Sequence, residues 1–274
     1  MDRYVVIGNP VGHSKSPQIH ARFAQQTGQE LEYTALLAEK GKFQEVVDAF
    51  FAAGGKGANV TVPFKEDAFR LAATLTQEAE TAGAVNTLYL DDQGRLCGHN
   101  TDGIGLVTDI RSNHGGTLAG KSILLLGAGG ASRGILQPFI KQGPDRICIA
   151  NRTASKAEAL AGVFSADNNP VEISGCGFDE IPKKPFDWIF NATSASLHGE
   201  MPGIPASAVS TNTWCYDLMY ANDPTAFCLW SMDTGAEKVM DGLGMLVEQA
   251  AESFMTWRGV RPRTEDVIKM LRES

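Results

Sequence analysis

The chain has 274 residues, 43% of them hydrophobic, and carries 32 acidic against 24 basic residues for a formal net charge of −8. That length suits one large or two ordinary domains, and the apolar content excludes a disordered chain. The acidic balance, with no local basic run, argues against a nucleic-acid partner. No window approaches the roughly 18 apolar residues of a membrane helix, and the start lacks the apolar stretch of a secretory leader.

A strand is expected over Tyr4–Ile7, then a helix with Ser16 as its cap and Pro17 at its first position. That helix turns Ile19, Phe23 and Ala24 to one face and stops at Gly28. A second strand near Glu32–Leu36 precedes a helix carrying Phe43, Val46, Val47, Phe50 and Phe51 at helical spacing, closed by Gly54 and Gly55. The third strand, Ala58–Val62, breaks at Pro63. Strands over Val85–Leu90 and Arg95–Gly98 flank Asp91-Asp92-Gln93-Gly94, a hairpin signal. A helix from Gly103 to about Asn113 runs into Gly115-Gly116, a boundary between two regions.

The second region opens with an apolar strand, Ser122–Leu126, feeding a glycine-rich turn and a helix. Strands near Arg146–Ala150, Trp188–Asn191 and Trp214–Asp217 continue a strand-helix alternation whose expected product is a parallel sheet. From Gly244 a long helical pattern (Met245, Leu246, Ala250, Phe254, Trp257) follows with no strand after it. The five cysteines, Cys97, Cys148, Cys176, Cys215 and Cys228, form no C-x-x-C pair. They read as small buried hydrophobes of a cytoplasmic protein.

The turn after Leu126 reads GAGGASR over residues 127–133. Gly127 permits the tight turn, and Gly129 lets the backbone approach a pyrophosphate at the positive end of the helix. The third position of the G-x-G-x-x-G pattern is Ser132. After the next strand, where an NAD site usually places an acidic residue, this chain has ANRTASK over residues 150–156. Arginine, threonine and lysine suit a 2′-phosphate, so NADP is the expected cofactor; the bland alternative is a solvated helix start capped by Thr153. In the first region, Thr61 and Lys65 stand at a strand end, Asn86 at a strand start, and Asp102 where the first region gives way to the second. Polar groups at consecutive strand ends argue for one cleft. The histidines (His13, His20, His99, His114, His198) show no ligand-type spacing, and no metal is implied.

Taken together, these segments resemble the shikimate dehydrogenase family from end to end. GNPVGHSKSP (8–17), NVTVPFK (59–65), GAVNT (83–87) and NTDG (100–103) resemble its substrate-domain signatures, in order. GAGGASR and NRT (151–153) resemble its cofactor loop and phosphate clamp; NATS (191–194), YDLMY (216–220) and DGLGMLVEQAA (241–251) resemble its closing segments. The resemblance implies an α/β fold of two domains. An N-terminal α/β substrate domain would span residues 1–101, and a Rossmann-type doubly wound parallel-sheet domain binding NADP would span 102–242. C-terminal helices, 243–274, would return to the first domain.

It implies reversible, NADP-linked oxidation of shikimate to 3-dehydroshikimate, run in reverse in the biosynthesis of aromatic compounds. Ser14 and Ser16 would bind the substrate carboxylate. Thr61, Asn86, Asp102, Tyr220 and Gln249 would hold the carboxylate or ring hydroxyls, and Lys65 with Asp102 would form the catalytic set. Cofactor contacts would come from Gly127, Ala128, Gly129, Gly130 and Ala131, from Asn151, Arg152, Thr153, Ala154, Ser155 and Lys156, and from Gln77, Thr193, Leu218 and Gly242. Leu218 stands where the family often has methionine, an exchange that keeps an apolar contact beside the nicotinamide. Partners are expected to be small molecules only, neither nucleic acid nor membrane, on a monomer or homodimer.

Oxidising a carbinol carbon requires loss of the hydroxyl proton, and a positioned base helps. A lysine does this in its neutral form, which a closed cleft favours and a nearby carboxylate opposes. Lys65 as the base is the reading taken, with a charged Lys65 polarising the oxygen as the other. Two rivals stay open: a relative that also oxidises quinate with relaxed cofactor use, and a dehydrogenase-like sensor without activity. Arg152 speaks against NAD, and the joint presence of Lys65 and Asp102 speaks against the sensor.

Overall fold

The structure is a computed structural model that describes residues 1–165, 169–193, 195 and 199–273. Ser194 of the closing segment and His198 lie outside the described residues. The chain divides into two compact units. Unit 1 comprises Met1–Gly105 and Leu246–Ser274; unit 2 comprises Leu106–Met245.

Unit 1 begins with β1 (Asp2–Gly8), α1 (Ser16–Thr27), β2 (Leu31–Leu37), α2 (Phe43–Ala52), β3 (Gly57–Val60) and α3 (Lys65–Leu71). It continues with β4 (Thr74–Leu75), α4 (Gln77–Ala82), β5 (Thr87–Leu90), β6 (Leu96–His99) and the first residues of α5 (Asp102–Thr108). The sheet order is β2-β1-β3-β5-β6-β4. β1 runs parallel to β2 and β3, and the β5–β6 hairpin is antiparallel, with Thr87 opposite His99 and also opposite Asn59. One face of this sheet buries Val5, Ile7, Ala58, Val60 and Leu88, and the other Tyr4, Val6 and Tyr33. The helical start differs from expectation. Lys15, not Ser16, stands at the N-cap and makes no side-chain cap bond, while Ser16 is already helical and buried. Its backbone N–H instead donates to Ser14 Oγ at 3.3 Å. The third strand ends at Val60, two residues early, because the chain already turns at Thr61, whose carbonyl accepts the Phe64 N–H.

Unit 2 takes up α5 at Leu106 and continues it as a π-helical turn over Asp109–Asn113. Then come β7 (Ser122–Leu126), α6 (Gly130–Ile140), β8 (Arg146–Asn151), α7 (Ala154–Phe164), β9 (Glu172–Gly177), β10 (Trp188–Asn191), β11 (Trp214–Asp217), α8 (Ala226–Asp233) and β12 (Lys238–Met240). All pairings are parallel and the order is β9-β8-β7-β10-β11-β12. Numbered from β7, that is the 3-2-1-4-5-6 order of a Rossmann sheet, whose switch point lies between β7 and β10. Alternate residues of β7 enter different cores, Ile123 and Leu125 on one face and Leu124 and Leu126 on the other. Burial on both faces explains why this strand reads as an unbroken apolar run. Four cysteines are buried, and all five are free.

The chain then returns to unit 1 through α9 (Leu243–Arg258) and α10 (Glu265–Arg272). Phe254 and Trp257 of α9 close an aromatic cluster with Phe23, His20 and Tyr33. Trp257 lies so close over β3 that a Cβ at Gly57 would sit 2.5 Å from its indole nitrogen, which donates to the Leu88 carbonyl. A side chain at residue 57 would therefore push α9 off the sheet. Arg258 fixes the end of the helix on Asp2 and Gln29.

Candidate active site

In unit 1 the polar residues gather at the carboxyl end of β3, the start of β5 and the start of α5. Lys65 is the first residue of α3 and Asp102 the first of α5. Lys65 Nζ donates to Asp102 Oδ2 at 2.6 Å, with both side chains partly accessible. The other carboxylate oxygen, Oδ1, accepts from Asn86 Nδ2 at 2.9 Å. The orientation of the Asn86 amide is set by a backbone group. Its Oδ1 takes the Thr101 N–H at 3.0 Å, a donor only, so the amide nitrogen must face Asp102. Gln249, on α9, brings Oε1 to 3.2 Å from Asn86 Nδ2 and donates its own amide to the Leu246 carbonyl at 2.8 Å. This approach needs Gly105 on α5, where a Cβ would lie 2.6 Å from the Gln249 backbone nitrogen.

Ser14 and Ser16 stand at the entry to α1, the first half-buried and the second buried. Thr61 follows β3 with its methyl packed against Gly8 and its hydroxyl making no hydrogen bond among the described residues. A lysine, a carboxylate, amides and hydroxyls within one unit form an array suited to a small ligand rich in hydroxyl and carboxyl groups. Gln77 opens α4, exposed, also in unit 1.

In unit 2 the candidate cofactor residues lie at the carboxyl ends of β7, β8, β10, β11 and β12. Gly127 has φ +102°, the left-handed region that favours glycine, and a Cβ there would press on Thr193 and Ala192 after β10. Gly129 caps α6 with no side chain, and a Cβ at Gly129 or Gly130 would meet only open space. Ala131 is exposed beside them and Ala128 half-buried. Ser132, where a third glycine was the pattern, is buried and donates to the Gly127 carbonyl at 2.8 Å, tying helix to turn. The opened helix N-terminus fits a pyrophosphate.

After β8, Asn151 Nδ2 donates to the Thr153 carbonyl at 3.0 Å and shapes the turn. Thr153 occupies the N-cap of α7 without a side-chain cap bond, so its hydroxyl is not spent on the helix. Arg152, Thr153, Ser155 and Lys156 are exposed and Ala154 half-buried. Neither Arg152 nor Lys156 has an ion-pair partner among the described residues, which leaves a cationic turn that fits a phosphate. At the far strands Asp217, fully buried, accepts from Asn191 Nδ2 at 3.0 Å, Thr225 Oγ1 at 2.6 Å and the Met219 N–H at 3.1 Å, and Asn191 in turn accepts from Thr193. This network holds the loops bearing Thr193 and Leu218. Gly242 packs on the Leu218 carbonyl so closely that no side chain fits. Tyr220 is half-buried, and burial, then the negative Asp241, push its phenol up from its ordinary pKa.

Sequence reasoning left Asn59, Thr87, Thr101, Asn191, Asp217 and Ser253 without roles. All but Ser253 fall inside or beside segments already singled out, and Ser253 is marked only by lying four residues after Gln249.

A model of the shikimate dehydrogenase substrate-binding domain matches residues 6–88, a shikimate/quinate 5-dehydrogenase model matches 109–198, and a shikimate 5′-dehydrogenase C-terminal domain model matches 242–272. The chain is 53% identical over 271 residues to the shikimate dehydrogenase (NADP(+)) of Marinobacter nauticus, covering 99% of this chain and 98% of that one. The chain belongs to the shikimate dehydrogenase family. Among solved structures of similar shape, an Ael1 enzyme from Pseudomonas putida superposes with a TM-score of 0.93 at 44% identity, covering 99% of this chain and 98% of that one. Shikimate 5-dehydrogenase of Thermus thermophilus, solved in complex with NADP(H) and shikimate, gives 0.86 at 30% identity over 100% and 99% of the two chains.

Proposed function

We propose that the chain catalyses the reversible, NADP-linked interconversion of shikimate and 3-dehydroshikimate, run toward shikimate in aromatic biosynthesis, with Lys65 moving the hydroxyl proton. The observation that carries this reading is the Lys65–Asp102 pair at 2.6 Å, set in a polar array and in a chain about half identical throughout to shikimate dehydrogenases (NADP(+)). Unit 1 is the substrate-binding domain in this reading, and unit 2 the NADP-binding domain.

Ser14 and Ser16 donate to the substrate carboxylate, and the Thr61 hydroxyl is free to join them. Asn86, Asp102 and Gln249 hold ring hydroxyls, with the Asn86 amide nitrogen as donor. Tyr220 is assigned to the substrate, and Gln77 to the cofactor, on family likeness alone. Residues Gly127 to Ala131 hold the pyrophosphate at the start of α6. Arg152 and Lys156 supply charge to the 2′-phosphate, on a turn built by Asn151, Thr153, Ala154 and Ser155. Thr193, Leu218 and Gly242 line the nicotinamide end, Leu218 with an apolar surface.

A bound NADP⁺ would supply the acceptor for the hydride that leaves the carbinol carbon. Lys65 takes the hydroxyl proton on Nζ as the carbonyl forms, and gives it back in the reducing direction. Asp102 orients that amine through Oδ2 and is itself held through Oδ1 by Asn86, so the proton acceptor is positioned before substrate arrives.

Residence in the cytoplasm belongs to the same proposal. The free cysteines suit a reducing compartment, and Cys148 and Cys176 stay unbonded with their sulfurs 3.7 Å apart. The deciding experiment is a spectrophotometric assay of shikimate and quinate, each with NADP⁺ and NAD⁺. Turnover is expected with shikimate and NADP⁺ above the other three combinations; no reduced cofactor in any of them would sink the reading.

A further inference from the structure

Behind Asn86, away from Lys65, a second layer of polar side chains is buried within unit 1. Ser253 Oγ, wholly inaccessible, is its centre. It accepts from Asn59 Nδ2 at 3.0 Å and shares protons with Thr87 Oγ1 at 2.8 Å and Thr101 Oγ1 at 3.3 Å. It also lies 3.1 Å from the Gln249 carbonyl one turn back. Asn59 is itself locked. Its amide nitrogen faces the Asn86 carbonyl at 3.2 Å, an acceptor only, so its Oδ1 must take the Tyr33 hydroxyl proton at 2.7 Å. Tyr33 is held in turn by stacking on His20 with ring centroids 4.1 Å apart.

The proton inventory gives this layer a direction. Thr87 and Thr101 each have one hydroxyl proton, and both oxygens lie within reach of Asn86 Oδ1, at 2.9 and 3.2 Å. A hydroxyl that spends its proton on Ser253 cannot give it to Asn86. Ser253, by supplying an oxygen that also takes the Asn59 N–H, draws those protons away from Asn86 Oδ1, which already holds the Thr101 N–H, and so sets how many donors pull on the amide that holds Asp102. Unsatisfied groups at this depth would be costly, which makes one arrangement dominant.

We infer that Ser253, seated by Asn59, is a positioning residue that acts through Asn86 on the Lys65–Asp102 pair. The inference rests on the proposed function of that pair. Removing the Ser253 hydroxyl turns two neighbouring hydroxyl protons onto Asn86 Oδ1 beside the Thr101 N–H, draws the amide off its place at Asp102 Oδ1, and misplaces Asp102 without touching substrate or cofactor.

The test is a double-mutant cycle read as steady-state kinetics of shikimate oxidation with NADP⁺, on Ser253→Ala, Asn86→Ala and the double variant, with Ser253→Thr as rescue. Ser253→Ala is expected to lower kcat about tenfold, the scale of one misplaced hydrogen bond. The KM for NADP⁺ should stay unchanged, and Ser253→Thr, which restores the hydroxyl, should recover kcat. In the Asn86→Ala background the Ser253→Ala change should cost no further kcat, because its route of action is gone. Wild-type kcat in Ser253→Ala, or full additivity in the cycle, overturns the inference. Lys65→Met is run alongside to separate the two claims. If it is inactive while Ser253→Ala is normal, the pair stands and the inference alone fails; if it keeps full kcat, the pair and this inference fall together.

Discussion

His20 offers a test of the packing that supports the site. It is fully buried between Tyr33, Phe23, Phe254 and Trp257, and neither ring nitrogen finds a hydrogen-bond partner among the described residues. Burial lowers its pKa from 6.5 to about 3; the nearby Asn59 amide offsets this in part without reaching either nitrogen in bonding geometry. Because the folded pKa is depressed, the unfolded chain binds one more proton between pH 6.5 and about 3, so the folded state loses stability as pH falls through that window. Above pH 6.5 the penalty is absent. From pH 7 to pH 5 the loss from this one residue integrates to about 2 kcal/mol. His20→Leu removes the titrating group while keeping an apolar side chain in the cluster. Urea unfolding of both proteins at the two pH values should show wild type losing about 2 kcal/mol more than the variant, with unchanged denaturant slopes. Equal losses would mean that His20 is protonated in the folded state or reached by water, and the reasoning would fail.

Arg152→Asp should weaken NADP⁺ binding by about ten- to a hundredfold, as one charge-assisted contact is replaced by repulsion, while NAD⁺ binding changes far less; cofactor titrations that fall equally would remove Arg152 from the clamp. The double change Ser14→Ala with Ser16→Ala should raise the KM for shikimate and leave the affinity for NADP⁺ nearly intact; an unaltered KM in the folded variant would reduce both serines to shaping the entry of α1. Lys65→Ala should lower kcat on the order of a hundredfold or more with both ligands still bound, as expected of a proton-transfer group. Loss of shikimate affinity at normal kcat would make Lys65 a binding residue.

The central strands were legible because they are buried on both faces: Trp188–Asn191 and Trp214–Asp217 coincide with β10 and β11. The edge strands of unit 2 were not, although the edge strand β2 of unit 1 was. β9 reads Glu-Ile-Ser-Gly-Cys-Gly, poor in strand-forming residues, because Gly175 must admit the backbone of α7 at Ala157. β12 has three residues, too few for any periodicity. Lys65, Asp102 and Asn86 stood out because each lies in a short polar segment at a strand end. Ser253 could not, since a serine on a helix reads as solvent-facing until the fold shows α9 entering unit 1. Ser132 broke the glycine pattern, and its bond to the Gly127 carbonyl explains why the turn tolerates it.

That α9 completes unit 1 has a consequence for how the protein comes into being. Gln249 and Ser253 are synthesised about 150 residues after Asp102, once all of unit 2 has been made. During translation Met1–Gly105 wait with Gly57 and Tyr33 uncovered where Trp257 will dock, and His20 and Phe23 uncovered where Phe254 will. Unit 2 is continuous in sequence and can fold as its own segment emerges, whereas unit 1 closes only after unit 2 has been made. An incomplete chain would thus bear unit 2 without a finished unit 1, and a nascent one would hold Lys65 and Asp102 without Gln249 and Ser253 until α9 arrives.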